Sequence, residues 1–196
     1  MIYRIIASAA FMVLIPMMLL AHDGSKHKED AKPSEAKYIS DFVMEYLEQG
    51  DKAPDFSLIN QDGKELSMEQ LKGSPVILTV IYTDCPDACP LVLYNREKIQ
   101  KTFEPSIGEG ATFLAVTVDP ENDTPEVLKE YITKIGLNPV KLHFLTGSTE
   151  TIRKVLNDYR IRLRVEVEKG TVVGHSVMAY AIDADGIVQK AVEFAQ

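Results

Sequence analysis

Cysteine is scarce in this chain: of 196 residues, only Cys85 and Cys89 carry a thiol. No cysteine stands directly after the apolar N-terminal stretch, so no lipid anchor on a cysteine is expected there. Two sulfurs alone do not complete a metal site, so any such site needs another ligand from elsewhere in the chain. Positive charge is also short, with 21 Lys and Arg against 29 Asp and Glu and a net charge of −8. That balance argues against nucleic acid as a partner. There is no internal repeat, so the chain is not a solenoid or an array.

What is present begins with Arg4 and a nearly uninterrupted apolar stretch over residues 5–20, closed by Ala21 and polar sequence. This order reads as a secretory signal cleaved after Ala21, or as a retained anchor, since its length lies near the lower limit for a membrane span. Residues 1–21 are therefore expected to be a signal peptide or membrane anchor. The remainder is expected to be exported, in a periplasmic or similarly oxidising space. Residues 22–50 read as a polar spacer rich in Lys, Glu, Asp and Ser. A helix is expected over 34–48, where Tyr38, Phe42, Tyr46 and Leu47 make an apolar stripe. Residues 51–196 suffice for one domain with an adequate core.

Within that domain, residues 53–58 and the turn at Asp62-Gly63 predict a short hairpin. Residues 75–82 and 111–118 are continuous apolar runs rich in β-branched side chains, the pattern of strands buried on both faces. One helix is predicted over 91–103. Thr124-Pro125-Glu126 opens another, with a capping residue, proline at the first helical position and an early acid, and Gly136 ends it. A short strand at 141–145 and a helix over 148–159, capped by Ser148, follow. From 160 to 168 the chain alternates, with Ile161, Leu163, Val165 and Val167 on one face. Arg160, Arg162 and Arg164 form a basic stripe on the other, most simply a solvated face. Strands at 177–182 and 187–194 are joined by the turn Asp183-Ala184-Asp185-Gly186. The expected fold class is α/β, a mixed sheet flanked by helices.

The cysteines sit in Thr83-Asp84-Cys85-Pro86-Asp87-Ala88-Cys89-Pro90, beyond the carboxyl end of the first buried strand, the usual place for a site in such a sheet. The pair can be a structural disulfide, a redox pair or two ligands to a soft metal. A disulfide across so short a loop removes little unfolded-chain entropy, which counts against a purely structural staple. With Cys85 before the helix and Cys89 in its first turn, the helix dipole is expected to lower the thiol pKa values. Pro86 and Pro90 stiffen the loop, and Asp87 reads as a loop-orienting group.

Four histidines could supply a further ligand. His22 and His27 fall in the spacer, where polarity explains them, and His143 reads as packed or surface-exposed in a short strand. His175, between Gly174 and Ser176, is the one expected in a loop entering a core strand, although a structural role is the commoner fate of such a residue. Two thiolates and an imidazole suit copper. A catalytic zinc completed by water fits the same donors, and spacing does not separate the two metals. Asp119 and Asp123 resemble metal ligands, but Asp-Pro and Asn-Asp-Thr-Pro are good turn and helix-start sequences.

The cysteine motif closely resembles the signature of the Sco/SenC family of copper-binding, thioredoxin-like proteins. The segments Val118-Asp119-Pro120-Glu121-Asn122-Asp123-Thr124-Pro125, Leu145-Thr146-Gly147 and His175-Ser176 with Tyr180 and Asp183-Ala184-Asp185-Gly186 follow in the family's order. The resemblance implies a thioredoxin-like fold and copper, as Cu(I) or Cu(II), bound by Cys85, Cys89 and His175. It implies assistance in assembling the binuclear copper centre of cytochrome c oxidase, with a copper-accepting partner such as its subunit II. The alternative is a periplasmic thiol–disulfide oxidoreductase in which Cys85 and Cys89 are the redox pair, acting on the cysteines of a partner protein. Two features depart from the family's pattern. Gly174 stands where an acidic residue usually precedes the histidine, and the family often retains its N-terminal segment as a membrane tether. Ala53-Pro54-Asp55-Phe56 also resembles the start of peroxiredoxin domains, but those place threonine three residues before the reactive cysteine, whereas Thr83 is two before Cys85.

Overall fold

The computed structural model describes residues 46–85, 88–166, 171–175 and 177–194, with backbone alone at 88, 163–166, 171–175, 177 and 194. The expected signal or anchor, most of the spacer with His22 and His27, and Pro86 and Asp87 lie outside these residues.

Ser57–Asn60 (β1) and Glu65–Ser67 (β2) form the expected antiparallel hairpin. Its turn is held by the Asn60 side chain, whose Oδ1 accepts from the backbone N–H of Asp62 and of Lys64, both at 3.0 Å. Gly63 supplies the positive φ of 71° that the turn requires. Val76–Ile81 (β3) follows, buried at every position. The single helix expected after it is two helices, Ala88–Tyr94 (α1) and Arg96–Ile107 (α2). The break falls at Asn95, where the Leu91 carbonyl accepts both from the Asn95 backbone N–H at 3.1 Å and from its side-chain amide at 2.8 Å.

Thr112–Thr117 (β4) is again buried throughout. Pro125–Lys134 (α3) opens at Thr124, whose hydroxyl accepts from the Val127 N–H. It closes in a Schellman turn through Gly136 at φ 67°, with Gly136 N–H to Thr133 O and Leu137 N–H to Ile132 O, both 3.1 Å. Leu142–Thr146 (β5) leads into Thr149–Asp158 (α4), capped by Ser148 as the sequence predicts. Then come Leu163–Glu166 (β6), Thr171–His175 (β7), Val177–Ile182 (β8) and Val188–Phe194 (β9).

Seven strands form one sheet in the order β2-β1-β5-β4-β3-β8-β9. β3, β4 and β5 are parallel, and β8 returns antiparallel beside β3. Alternate residues of the central strands feed two cores. Leu78, Val80, Leu114 and Val116 pack with Ile152, Val155 and Leu156 of α4. Ile77, Ile81, Phe113 and Ala115 pack with Leu93, Phe103, Leu128 and Ile132 of α1, α2 and α3. Helices on both faces explain why the runs in β3 and β4 are apolar without alternation. The arrangement is the thioredoxin-like mixed sheet.

Three expectations are corrected. The alternation from 160 does not begin a strand there. Arg160 takes a left-handed conformation at φ 55° and, with Ile161, closes α4 in a second Schellman turn, with Arg160 N–H to Asn157 O at 2.9 Å and Ile161 N–H to Leu156 O at 2.8 Å. The basic stripe is thereby broken, because the Arg160 guanidinium instead donates to the Tyr46 carbonyl at 2.9 Å. His175 is not in a loop: it ends β7, an unforeseen strand that, among the described residues, pairs with β6 in a separate ribbon. Finally, residues 46–48 are not helical. Leu47 is buried in the α4-side core, and the Tyr46 hydroxyl donates to Glu193 at 2.8 Å.

Two wholly buried tyrosines pin that core, with ring centroids 5.7 Å apart. The Tyr180 hydroxyl donates to Tyr159 O at 2.7 Å and the Tyr159 hydroxyl to Pro54 O at 2.8 Å. Tyr159→Phe removes only a hydrogen bond and should cost about 1 kcal/mol. Tyr159→Ala empties the site and should cost roughly 3–5 kcal/mol. Urea unfolding checks the pair of values, and equal losses would show that the ring contributes nothing beyond its hydroxyl.

Candidate metal and redox site

The chain leaves β3 at Tyr82, turns through Thr83 and Asp84, and reaches Cys85, whose N–H donates to the Tyr82 carbonyl at 3.3 Å. Cys89 is the second residue of α1. Its N–H donates to the Cys85 sulfur at 3.3 Å, so Cys85 serves the helix start as a capping side chain would. The two sulfurs are thus brought together, although no disulfide joins them. They differ in access: Cys85 is half-buried, whereas Cys89 is 1% exposed.

That burial overturns the expected lowering of the Cys89 pKa. Removal from water, with the Cys85 thiol beside it, pushes the Cys89 thiol well up. The short helix α1 does not offset so complete a desolvation. Burial and the Cys85 thiol, which the Tyr82 hydroxyl meets, also push Tyr82 up to about 12.

The loop is tied to the neighbouring strand end by Asp123, a residue whose sequence context reads as no more than a helix start. Its carboxylate is 1% exposed. It accepts from the Thr83 hydroxyl and the Thr117 hydroxyl, each at 2.5 Å, and from the Thr83 N–H at 3.3 Å. Burial raises its pKa, against the pull of these donors. Asp119 keeps the turn role expected of it, accepting from the Asn122 amide at 2.9 Å and from the Asp123 N–H at 2.9 Å.

Of the histidines, His143 lies in β5, half-buried, with its pKa lowered by burial against the opposing charge of Asp62. The His175 side chain lies outside the described residues, but its backbone position is defined. β8 runs antiparallel to β3 with Thr79 opposite Ala179. The start of β8, and His175 just before it, therefore fall at the carboxyl edge of β3 where the cysteine loop emerges. Among the described residues, no three His, Cys, Asp or Glu side chains form a metal-holding group.

Comparison with known proteins accords with this layout. The family model described as SCO1/SenC matches residues 44–196. A mitochondrial SCO1 homolog 1 of Arabidopsis thaliana is 34% identical over 132 residues, 66% of this chain, and the chain spans 39% of that relative's length. The structure of Arabidopsis thaliana ScoI with copper bound superposes with a TM-score of 0.62 at 30% identity, covering 74% of this chain and 90% of that one. BsSco, a member of the Sco family of cytochrome c oxidase assembly proteins in which a disulfide switch is identified, gives a TM-score of 0.60 at 29% identity, covering 75% and 86%.

Asp123→Ala strands the Thr83 and Thr117 donors and should cost about 2 kcal/mol at neutral pH. The raised carboxyl pKa adds a pH signature. Its contribution to stability is full below the ordinary carboxylate value, near 4, and declines as pH rises through the higher folded value. Asp123→Asn removes that decline. Urea midpoints of wild type and Asp123→Asn at about pH 4 and about pH 7 check it, and the same pH difference in both proteins would refute it.

Proposed function

The chain belongs to the SCO1/SenC family, and on that premise we propose that it is a copper chaperone, holding copper through Cys85, Cys89 and His175. Its client is a copper-accepting protein such as subunit II of cytochrome c oxidase, whose binuclear centre it helps to assemble. The observation that carries this reading is the meeting of two sulfurs at the strand edge on which the His175 backbone also falls. Two thiolates with an imidazole are a soft, low-coordination set suited to Cu(I), with Cu(II) accommodated through nitrogen and added water. Copper takes the place of the thiol protons, so loading requires the reduced pair and releases acid. An exported setting, with residues 1–21 as cleaved signal or membrane tether, is part of the same reading. Copper bound to Arabidopsis ScoI, and the oxidase-assembly family of BsSco, support it.

A second reading, thiol–disulfide exchange on a partner's cysteines, is favoured by the unequal access of the sulfurs. The half-buried Cys85 can be reached by an incoming disulfide while the buried Cys89 waits to resolve the mixed one.

Metal analysis with a Cu(I) titration of the reduced protein separates the two. The chaperone reading expects near-stoichiometric copper in wild type, lost in Cys85→Ser, Cys89→Ser and His175→Ala. Equal copper in wild type and His175→Ala would overturn the proposed ligand set. The reductase reading expects His175→Ala to remain active in the presence of a copper chelator.

A further inference from the structure

Among the described residues, Asp123 is the only charged side chain withdrawn from water, at 1% exposed. No Lys, Arg or His pairs with it there, and a buried carboxylate destabilises a fold unless hydrogen-bonded. Helix initiation does not account for it, because α3 is capped by Thr124, whose hydroxyl accepts from the Val127 N–H. What the carboxylate holds is the turn that delivers Cys85. Cys85 N–H to Tyr82 O, at 3.3 Å, closes that turn over Thr83 and Asp84. Both donors of Thr83 are directed at Asp123: its hydroxyl reaches Oδ1 at 2.5 Å, and its N–H lies 3.3 Å from each oxygen. Oδ2 accepts from the hydroxyl of Thr117, the last residue of β4, at 2.5 Å. Thr117 is itself fixed, since its Oγ1 accepts from the Asp119 N–H at 2.9 Å, and Asp119 O accepts from the Asp123 N–H at 2.9 Å.

A contiguous line of hydrogen bonds therefore runs from the end of β4 through Asp123 and Thr83 to the turn, and from the Cys85 sulfur to the Cys89 N–H at 3.3 Å. Cys89 is fixed independently by its burial on α1. Cys85 is half-buried and ends the turn, so its place depends on what holds Thr83. We propose that Asp123, acting through Thr83, is a positioning residue that sets the place of Cys85 relative to Cys89. Hydrogen bonds to a charged acceptor are the strong ones and limit the excursions of the turn. Donors held in place bind a metal more tightly than donors that must be ordered on binding, and two thiols held together close more readily to a disulfide. With oxidised glutathione, the Cys85–Cys89 S–S bond forms and the glutathione S–S bond breaks. The two thiols lose two electrons and two protons, which leave in two molecules of reduced glutathione. The inference rests on Cys85 and Cys89 as the working pair, which the copper and thiol-exchange readings share.

The test compares full-length wild type with Thr83→Val, which removes the hydroxyl and keeps the branched shape, and with Thr83→Ser, which keeps the hydroxyl. Thr117→Val loosens Asp123 from its other side. Tyr159→Phe is the control, removing one hydrogen bond in the opposite core. Two quantities are measured: the equilibrium of the copper-free thiol pair with glutathione, and Cu(I) affinity in competition with a chromophoric chelator. Both valine variants should move the glutathione equilibrium toward the dithiol and weaken Cu(I) binding on the order of tenfold. Thr83→Ser and Tyr159→Phe should stay with wild type in both. An unmoved glutathione equilibrium in the valine variants would overturn the inference, as would a shift in Thr83→Ser equal to that in Thr83→Val. An equal shift in Tyr159→Phe would trace the effect to stability alone and overturn it too. Should Thr83→Val not fold, Thr117→Val decides by the same comparison. A wild type that takes up no copper would overturn the chaperone reading, while the glutathione equilibrium would still decide this inference.

Discussion

The burial of β3 and β4 on both faces is the constraint from which the rest of the molecule follows. Every side chain of both strands is withdrawn from water, between α4 on one side and α1, α2 and α3 on the other. Apart from threonines such as Thr79, whose hydroxyl donates to the Met178 carbonyl at 2.7 Å, polar chemistry is kept off the sheet surface there and gathers where the strands end. At the carboxyl edge of β3 the chain turns into the cysteine loop, and at that of β4 into the Asp119 turn. The Val118 N–H donates to Ile81 O at 2.8 Å, keeping the two exits adjacent. Asp123 then joins them through Thr83 and Thr117. A buried carboxylate is costly unless hydrogen-bonded, and its donors come from both exits. The loop is therefore held by a group that would itself be unstable without the loop.

The same economy of burial decides the character of the sulfurs. A helix start favours thiolates, and on dipole arguments alone both cysteines would be acidic. Desolvation of Cys89 wins because α1 is short and Cys89 is buried in the core that also holds Ile81, Leu93 and Leu128. The resulting pair is unequal, with one sulfur in reach of solvent and the other sealed. Deprotonation of the sealed one is better driven by a cation that replaces the proton than by solvent alone.

Much of this was legible in the residues, and what escaped has identifiable causes. β3 and β4 were readable because double burial leaves an unbroken apolar signature. α3 and α4 were readable because Thr124, Ser148 and Gly136 carry local capping chemistry that tertiary context did not override. The α1–α2 break was hidden because nothing in the sequence marks Asn95 as the residue whose side-chain amide bonds back to the Leu91 carbonyl. Arg160 and Ile161 fitted a strand alternation, yet they close a helix, with arginine in a conformation usually left to glycine. At the site, the cysteine motif identified the loop that the structure builds at the carboxyl edge of β3. Asp123 looked like a helix start, and its weight depends on the two threonine donors that the fold sets beside it.

Among the described residues, the β6–β7 ribbon pairs with itself and with no strand of the main sheet. A two-stranded hairpin is marginal in water by itself, and this one joins the body through the Schellman turn after α4 and the start of β8. The cysteines, by contrast, follow directly from β3, a strand buried at every position. On the proposed ligand set, a metal bonded to the cysteines and to His175 would act as a cross-link, closing a long loop of chain between the body and the ribbon. Any ordering of the ribbon that this cross-link required would lower the measured affinity below that of the same donors held ready. Capture and release would then be governed by the order of the ribbon as much as by the strength of any bond to the metal.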